Sequence, residues 1–456
     1  MCTIFFFLAD GGGNSFLLRF TSILIYSIIF FIVFLAFAEK LILFFYLGRG
    51  ALNESDDVAY VQSGINFART GTVSVWSVYP SAAIMPGMPV VAGIFCRLFG
   101  EGSAYIDAVR LCWCLFGSAT VYVFYKCCVF LMPKSFALLA ALPFLLINWA
   151  WSDNTFLTEP PYFFFFLLNL YYIFRLGEQE SSHPDRKALI GFVLSFMAAL
   201  MFRANIITAP LFAAIYLVFV KKKRLAEYIP HALALLAALL LFMIPWSIRN
   251  YRVFGEFIPL TNGSANPLLL GTYQGESAPT DESLDYETNV YKVIREEYKE
   301  LFNEDGTLKN AADGEKIRTA TDRLKAKYRF REWLKRDPKG LLWSYLVSKP
   351  VCMLTWVWFW MPSASTYYAL EKLSLINCIF CVAAVILSFV QKKKRRLMSF
   401  LSFVYLFSLY SFAFSFASER YSAQIMPIRY MIAGIGLYLV WELFKNRRKK
   451  KQSPIT

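Results

Sequence analysis

Histidine is nearly absent from this chain, which has only His183 and His231 among its 456 residues. The 9 cysteines lie mostly within apolar stretches, and none is spaced with a histidine as in a zinc site. We interpret Cys127–Cys128 and Cys378–Cys381 as small hydrophobic residues in lipid. This composition argues against a His-based catalytic triad and against a His-ligated metal centre.

Charged residues are also scarce: they make up 17% of the chain, whereas hydrophobic residues make up 57%. The long apolar runs and the mean hydropathy of +0.46 exclude an ordinary soluble protein. They predict an all-α, polytopic membrane protein. The first run has no small-residue cleavage site before Glu39–Lys40, so we expect a retained span rather than a cleaved signal peptide.

The net charge of +15 does not indicate a nucleic-acid-binding protein, because of where the basic residues lie. The clusters Lys221–Arg224, Lys392–Arg396 and Arg447–Lys451 each follow an apolar run. Positive charge at such places is typical of the cytoplasmic ends of membrane spans. The expected partner of these clusters is the lipid bilayer, through its anionic headgroups.

The apolar runs predict about ten transmembrane helices, and the basic loops then place both termini in the cytoplasm. The predicted spans are roughly 20–47, 105–131, 135–151, 157–176, 187–202, 204–220, 229–246, 373–391, 397–415 and 427–445. The chain thus divides into an N-terminal transmembrane module (1–246) with a large outer loop (48–104), an outer segment (247–372), and C-terminal helices with a basic tail (373–456).

The outer segment has two kinds of sequence. Residues 284–302 and 313–336 are charged and helix-prone, which predicts a small soluble cap. Residues 341–361 are apolar and rich in Trp but are interrupted by Lys349–Pro350, so we expect a helix in the outer membrane interface. A pair of extra spans here would raise the count to twelve. No internal repeat is evident, which disfavours an inverted-repeat transporter.

Ionisable residues form four patches on the predicted outer side. The first is Asp56–Asp57, and behind it apolar residues recur at helical spacing: Val58, Val61, Ile65 and Ala68. This pattern predicts a short amphipathic helix along the bilayer surface. Capping of that helix is the simple explanation for the two acids.

The other three patches are Glu159 before Pro160–Pro161, the arginines Arg203 and Arg249, and Glu419–Arg420–Tyr421. Each also has a simple structural explanation: an acid at a helix N-terminus, snorkelling at the interface, and a local ion pair. Together they favour a site for an anionic, lipid-linked substrate. The planar fork of arginine binds two phosphate oxygens, and a carboxylate can deprotonate an acceptor hydroxyl.

Five motifs connect these patches in one order along the chain. They are Asp56-Asp57-x-x-Tyr60 with Ala68 and Gly71, Met85-Pro-Gly-Met-Pro89 with Leu98-Phe-Gly100, Leu157-Thr-Glu159-Pro, Pro245-Trp-Ser-Ile-Arg-Asn-Tyr251 with Phe254-Gly255 and Pro259-Leu-Thr-Asn-Gly263, and Arg420-Tyr421 with Pro427. This order resembles the membrane-embedded C-type glycosyltransferases (GT-C), in particular the bacterial family-39-like proteins related to protein O-mannosyltransferases and to the aminoarabinose transferase of lipid A. Two positions depart from the family pattern, which usually has Glu at Asp57 and Pro at Gln424.

The resemblance implies an inverting glycosyltransferase at the outer face of a bacterial plasma membrane. Its donor would be a sugar on a polyprenyl phosphate, and its acceptor is an unknown hydroxyl on a lipid, protein or glycan. Asp56 would be the general base. The supporting roles are acceptor, sugar or divalent-cation contacts for Asp57, Glu159 and Tyr60, and pocket shape for Asn250, Asn262, Gly263 and Tyr421. Arg249, Arg203 and Arg420 would bind the donor phosphate, with Arg249 favoured. The motifs require no cofactor. Whether a divalent cation binds at the site is left open by them.

Two other classes of protein would share some of these features. A transporter or flippase for a lipid-linked or anionic solute would also place charges at span ends, but it predicts essential charges near the bilayer midplane and on both faces. A polymerase or ligase of surface polysaccharide would use the same kind of donor. The concentration of charges on one predicted face favours transfer over transport.

Overall fold

The computed structural model describes residues 15–179, 185–355 and 363–452. Within these ranges the regular structure is helical, apart from one isolated bridge between Phe302 and Leu308. The N-terminal helices are α1 (Ser15–Leu47), α2 (Asp56–Thr70), α3 (Gly87–Phe99), α4 (Ser103–Val129), α5 (Lys134–Ala141), α6 (Ile147–Asp153), α7 (Glu159–Gly177), α8 (Arg186–Phe202), α9 (Ala209–Ile215) and α10 (Ile229–Phe254).

The chain continues through the outer segment into the last long helices. They are α11 (Ala265–Gly271), α12 (Lys292–Glu297), α13 (Gly314–Arg336), α14 (Pro338–Trp343), α15 (Lys349–Cys352), α16 (Ala364–Val390), α17 (Arg395–Ser415), α18 (Glu419–Ser422) and α19 (Met426–Gln452). The prediction of an all-α fold is confirmed for the described residues.

In the described parts of the chain, six helical segments are long and apolar enough to cross a membrane, and a seventh results if one bent pair of helices is counted as a single span. The six are Ile23–Leu47, Ser103–Val129, Leu225–Phe254, Ala364–Val390, Arg395–Ser415 and Met426–Arg447. The bent pair is Lys134–Leu145 with Ile147–Asp153, at 66°. These seven coincide with predicted spans, and the polytopic membrane fold is confirmed.

The other three predicted spans are shorter or irregular in the structure. Helix α8 has 17 residues, and residues 204–220 form a 3-10 helix, the helix α9 and a π-helical turn in succession. Helix α7 has 19 residues, and two prolines lie in its first turn. The count of ten therefore stays a prediction.

Large apolar side chains on the long helices face outward. Leu241 on α10 is 79% exposed and Val390 on α16 is 73% exposed. Leaving such residues in water would cost about 1.5–3 kcal/mol each relative to burial, so their exposure fits a lipid-facing surface.

The interior of the N-terminal module is aromatic. Trp113 on α4 is almost fully buried, and its ring packs edge-on against Phe202 at the end of α8, with 5.9 Å between the ring centroids. Helix α7 packs against both α4 and α8. Because Glu159 is the first residue of α7 and Arg203 follows α8, this packing brings the two predicted site residues to the same end of the bundle.

The outer loop 48–104 folds as a pair of helices, α2 and α3. A Cβ on Gly64 would meet the Ala92 side chain, so the two helices approach closely where α2 has a glycine. The predicted apolar face of α2 is only partly correct. Val61 and Ile65 are partly buried, but Val58 is 47% exposed and the residues most fully packed are polar or small.

The outer segment forms a small helical cap organised by the buried Arg329 on α13. Its guanidinium donates to the Thr272 hydroxyl at 2.9 Å and to the Tyr286 hydroxyl at 2.6 Å, and it forms an ion pair with Asp281 at 2.5 Å. The ring of Tyr273 covers the same guanidinium at 3.5 Å. The predicted cap at 313–336 corresponds closely to α13, while 284–302 is broken into short turns around α12.

The Trp-rich segment 341–361 is not among the helices long enough to span a membrane in the described chain. Its described part consists of α14, a π-helical turn at Ser344–Ser348, and α15. Residues 356–362 lie outside the described residues. The interfacial position of this segment remains a prediction.

Candidate functional site

Four charged side chains from distant parts of the chain meet at one place. Arg420 forms an ion pair with Asp56 through Nη1 at 2.7 Å and a second one with Glu159 through Nε. Arg203 binds the same Glu159 carboxylate through Nη2 at 2.6 Å. Two acids and two arginines thus form a cluster with no formal net charge, which we call the acid–arginine cluster.

Glu159 is the buried centre of this cluster. It is fully buried as the first residue of α7, and both arginines bind its Oε1. A carboxylate in such a position needs cationic partners, because an unpaired buried charge is strongly unfavourable. Glu159 therefore does more than supply a negative charge to a helix N-terminus.

Asp56 and Arg420 are more accessible than Glu159. The Asp56 side chain is 42% exposed, and that of Arg420 is 13% exposed. The simple alternative of a local ion pair between Glu419 and Arg420 does not apply, because Arg420 pairs with Asp56 and Glu159. Glu419 instead accepts a hydrogen bond from the Tyr367 hydroxyl at 2.8 Å. Asp56 is thus an accessible carboxylate beside a largely buried cation.

Tyr60 lies one turn after Asp56 on α2 and faces the cluster. Its burial, together with the nearby carboxylate of Asp56, raises its pKa to about 12, against the opposing effect of the two arginines. The phenol is therefore neutral at physiological pH and can donate a hydrogen bond into the site. This places three of the five motifs, those around residues 56–60, 159 and 420, in one location.

Each arginine of the cluster keeps an unused donor group. Arg203 also donates from Nε to the Thr158 hydroxyl at 3.0 Å. Within the described residues, Nη1 of Arg203 and Nη2 of Arg420 have no hydrogen-bond partner. Two guanidinium groups with free N–H bonds, held by one carboxylate, can bind the oxygens of a phosphate.

Asp57 has a different environment from its neighbour Asp56. It is fully buried, and its carboxylate accepts hydrogen bonds from the backbone N–H groups of Asn53, of Ser55 at 2.8 Å and of Val58 at 3.0 Å. Asp57 thus holds the loop that precedes α2, and it accepts the Val58 N–H in the first turn of the helix. Its oxygens are occupied by the main chain, and its predicted contacts with acceptor, sugar or metal stay a prediction.

We expect Asp57→Asn to lower the stability of the fold. The amide would place N–H donors against backbone N–H groups, and losing buried hydrogen bonds of this kind costs about 1–3 kcal/mol. The thermal unfolding temperature of the purified protein in detergent should fall relative to wild type, and relative to Asp56→Asn. An unfolding temperature equal to that of wild type would contradict this assignment.

The hydrogen bonds of Arg249 go to residues outside the acid–arginine cluster. Its guanidinium donates to the carbonyl oxygens of Ser81 at 2.8 Å and Val73 at 3.1 Å, and it lies over the ring of Trp246 at 5.0 Å. These bonds anchor the loop between α2 and α3 to the end of α10. The geometry favours Arg203 and Arg420 over Arg249 as phosphate ligands, whereas the sequence motif favours Arg249.

Three of the predicted pocket residues belong to the same anchor. Asn250 is fully buried and donates to the Ile258 carbonyl at 2.8 Å, and the backbone N–H of Asn262 donates to the Ala82 carbonyl at 3.0 Å. Gly263 lies against the backbone of Ala83. Glu315 on α13 accepts a hydrogen bond from the Ala82 N–H at 2.8 Å, so this anchor also joins the outer loop to the cap. The fourth predicted pocket residue, Tyr421, is not part of the anchor: it follows Arg420 directly and stacks on Phe412.

We expect Gly263→Ala to loosen this anchor, because a Cβ would collide with the Ala83 carbonyl oxygen. Overpacking of this kind typically costs about 1–3 kcal/mol. Limited proteolysis should cleave the loop between α2 and α3 faster in this variant than in wild type. Gly314→Ala is the matched control, since its nearest neighbour would be 3.9 Å away, and equal cleavage rates in the two variants would contradict the role of Gly263.

A buried polar network supports the segment that leads into Glu159. Lys40 on α1 forms an ion pair with Asp153 at 3.4 Å, and Asn154 donates to the Lys40 carbonyl at 3.0 Å. Arg110 on α4 donates to the Asn154 carbonyl at 3.0 Å and is itself fully buried. This network fixes Asp153 and Asn154, which precede Glu159 by six and five residues.

Several contacts at the site are not evident from the motifs. Thr158 holds Arg203, and Gln274 of the cap exchanges hydrogen bonds of 2.6 and 2.8 Å with the backbone of Ala417, just before Arg420. Asn205 and Gln424, which follow Arg203 and Arg420 in the chain, form a hydrogen bond with each other. Short polar residues next to the charged motifs were the only sequence signal for these contacts.

No group of three or more His, Cys, Asp or Glu residues suited to a metal ion occurs in the parts of the chain that the structure describes. Within the cluster, Oε1 of Glu159 is occupied by the two arginines and one Asp56 oxygen by Arg420. Binding of a divalent cation at this site therefore stays a prediction.

The fold and the cluster together define a polytopic helical membrane protein with an acid–arginine site, in which Glu159 is buried and Asp56 is accessible. Residues 81–247 match the family model described as dolichyl-phosphate-mannose-protein mannosyltransferase. The match confirms the predicted resemblance to membrane glycosyltransferases of the C type for this part of the chain. It contains Glu159 and Arg203, whereas Asp56 and Arg420 lie outside the matched residues.

Among solved structures, the chain is similar to ArnT from Cupriavidus metallidurans. The match to the apo state has 13% identity and the match to the form bound to undecaprenyl phosphate has 12% identity, each with a TM-score of 0.38. Both cover 92% of this chain and 77% of the other chain. A search of curated proteins finds no match.

Proposed function

We propose that this protein transfers a sugar from a polyprenyl-phosphate donor to an acceptor hydroxyl, with the acid–arginine cluster as its active site. The observation that carries the proposal is the bridging of Asp56 and Glu159 by Arg420, with Arg203 on the same carboxylate. The family description of the matched region names a lipid-phosphate-linked mannose, which supports this class of donor. The identity of the sugar is not part of the proposal.

The chemistry is a direct displacement at the anomeric carbon. The Asp56 carboxylate accepts the proton of the acceptor hydroxyl, and the acceptor oxygen forms a bond to the anomeric carbon. The bond from that carbon to the phosphate oxygen breaks, and its electron pair leaves with the polyprenyl phosphate. A single displacement of this kind inverts the anomeric configuration.

The arginines act on the leaving group. Negative charge on the phosphate oxygen increases as the glycosidic bond breaks, so fixed cations stabilise the transition state more than the ground state. The free N–H groups of Arg203 and Arg420 are available for this contact. Glu159 holds both guanidinium groups in place, and the neutral Tyr60 phenol can donate to a substrate oxygen.

The site operates at the outer membrane face in this proposal, with both termini in the cytoplasm. This orientation is supported by the basic clusters Lys221–Arg224, Lys392–Arg396 and Arg447–Lys451, which lie at the span ends opposite to the site. Substituted-cysteine labelling of intact cells with a membrane-impermeant thiol reagent tests the orientation. A cysteine at Glu304 on the cap should be labelled from outside, and one at Arg447 only after permeabilisation. The reverse pattern would contradict the proposed topology.

The experiment that separates transfer from transport uses the purified protein in lipid vesicles with labelled polyprenyl-phosphate sugars and a membrane extract as acceptor source. Transfer releases polyprenyl phosphate and moves the label to the acceptor. Movement of the label across the bilayer without cleavage would support a flippase and overturn the proposal.

A further inference from the structure

A cavity of about 350 Å³ lies between the bent pair that contains α5 and α6, helix α16 and the start of α19. All of these are among the segments that can cross a membrane, so the cavity belongs to the membrane-spanning part of the protein. Leu142 and Leu373 in its wall are exposed, so the cavity opens on the lipid-facing surface. The wall is mostly apolar, and its polar members are Asn148, Ser374 and Asn377.

A buried arginine, Arg429 on α19, lies directly behind this wall. Its Nε donates to Oδ1 of Asn377 at 3.2 Å, and its two Nη atoms donate to the backbone carbonyls of Leu354 and Ser374. These partners are neutral, and within the described residues Arg429 forms no ion pair. Because a guanidinium keeps its proton, this part of the bundle has an uncompensated positive charge, in contrast to the acid–arginine cluster.

Asn377 connects this charge to the cavity. Because a guanidinium has no acceptor, the atom of Asn377 that meets Arg429 must be its carbonyl oxygen, which fixes the orientation of the amide. Asn377 is partly exposed, and its Nδ2 is neither fully buried nor hydrogen-bonded within the described residues. A cationic donor on the oxygen polarises the amide and strengthens its N–H bonds as donors. The wall of the cavity thus offers N–H donors in a positive potential, which suits an anion.

The depth of these donors indicates where the anion comes from. The charged pair Glu371–Lys372 on α16 marks the level of the lipid headgroups, and Asn377 lies ~8–9 Å further along the helix. A soluble anion would have to lose its hydration shell to enter these apolar surroundings, at a high cost. An anionic lipid already has its chains there, and its phosphate needs to move only this short distance. The apolar wall of the cavity can then hold part of a chain.

We propose that this cavity binds an anionic phospholipid of the surrounding bilayer through Asn377, with Arg429 behind it. The lipid phosphate accepts hydrogen bonds from the Asn377 amide, and a hydrocarbon chain lies against the leucines of the wall, such as Leu142 and Leu373. The residues that line the cavity include none of the acid–arginine cluster, so this lipid site is separate from the proposed donor site. The inference therefore does not depend on the proposed transfer of a sugar.

The test counts lipids bound to the purified full-length protein in detergent by native mass spectrometry. The probes are phosphatidylglycerol, phosphatidylcholine with the same chains, and polyprenyl phosphate. Wild type should bind its first phosphatidylglycerol more tightly than phosphatidylcholine. Asn377→Leu removes the N–H donors, and Asn377→Asp also places a carboxylate that repels the phosphate. Each should weaken the first phosphatidylglycerol about tenfold to hundredfold, the value of hydrogen bonds to a charged group, and leave the other two lipids unchanged.

Asn377→Asp adds a readout that separates loss of lipid from loss of structure. Its carboxylate would pair with Arg429, so without added lipid its unfolding temperature should be no lower than that of wild type. Asn303→Asp is the matched control, because it adds the same charge at an exposed position of the cap and should bind phosphatidylglycerol as wild type does.

The proposal is overturned if folded Asn377→Asp binds phosphatidylglycerol as tightly as wild type. It is also overturned if wild type does not prefer phosphatidylglycerol to phosphatidylcholine. If the two Asn377 variants weaken only polyprenyl phosphate, the cavity holds the donor, and the claim of a separate phospholipid site is wrong. Failure of the wild-type protein to transfer a sugar would contradict the proposed function but not this lipid site, since the binding assay contains neither sugar donor nor acceptor.

Discussion

Asp56→Asn is expected to lower the rate of sugar transfer by about 10²–10⁴-fold, the usual effect of removing a general base. The asparagine amide keeps the approximate shape of the side chain and can still accept a hydrogen bond from Arg420. It cannot accept the acceptor's proton at neutral pH. The measurement is single-turnover release of polyprenyl phosphate from a labelled donor in vesicles.

The control for this variant is Glu54→Gln, which removes a neighbouring carboxylate that is exposed in the same loop. It should transfer at the wild-type rate. Donor binding by Asp56→Asn should also be close to wild type, because the two arginines remain. A well-folded Asp56→Asn that transfers at a near-normal rate would show that the base is another group.

Arg420→Met is expected to lower the transfer rate by about 10²–10³-fold, comparable with the loss of a fixed donor that stabilises developing negative charge. The variant removes one cation from the departing phosphate and leaves Glu159 with Arg203 as its remaining partner. Arg420→Lys should recover part of the rate, because it restores the charge but not the planar fork that bridges Asp56 and Glu159.

Arg69→Met is the matched arginine control. Arg69 pairs with Glu101, but its side chain is 62% exposed, and ion pairs of that kind contribute about 0–1 kcal/mol. We expect its transfer rate to equal that of wild type. If Arg420→Met and Arg69→Met behaved alike, with both folded, the cluster would have no part in catalysis.

The local features of the site could be predicted from the sequence. The acids at the start of α2 and the isolated acid before Pro160 stand out as charges in an apolar chain. The pairing itself could not be predicted, because Arg420 meets partners that are 364 and 261 residues away in the chain. Which acid faces which arginine depends on the packing of helices that are far apart in the chain, and no local sequence pattern encodes that packing.

Arg249 shows why a motif alone is a poor guide to a residue's contacts. Its motif favoured Arg249 as a phosphate ligand, but the structure uses that stretch to attach the loop between α2 and α3 to α10. Likewise, the adjacent acids Asp56 and Asp57 look equivalent in sequence. Successive helical residues point about 100° apart, so one faces the arginines and the other faces the backbone.

The positions of the long apolar helices were predicted, since a run of about 20 apolar residues is what a bilayer requires. Their boundaries were less accurate: the helix Ala364–Val390 begins nine residues before the predicted span 373–391. The region from α7 to α9 was harder. Its helices are shortened by prolines and by the break at Arg203, where residues 204–220 change from 3-10 to α to π geometry. Those irregularities occur where the chain turns to present Arg203 to Glu159.

The most direct test of the central claim is the stoichiometry and anomeric configuration of the product formed by the wild-type protein from a labelled polyprenyl-phosphate sugar. Direct displacement at the acid–arginine cluster predicts one polyprenyl phosphate released for each glycosylated acceptor, with the anomeric configuration inverted. Retention of configuration, or an intact donor after incubation with acceptor, would contradict it.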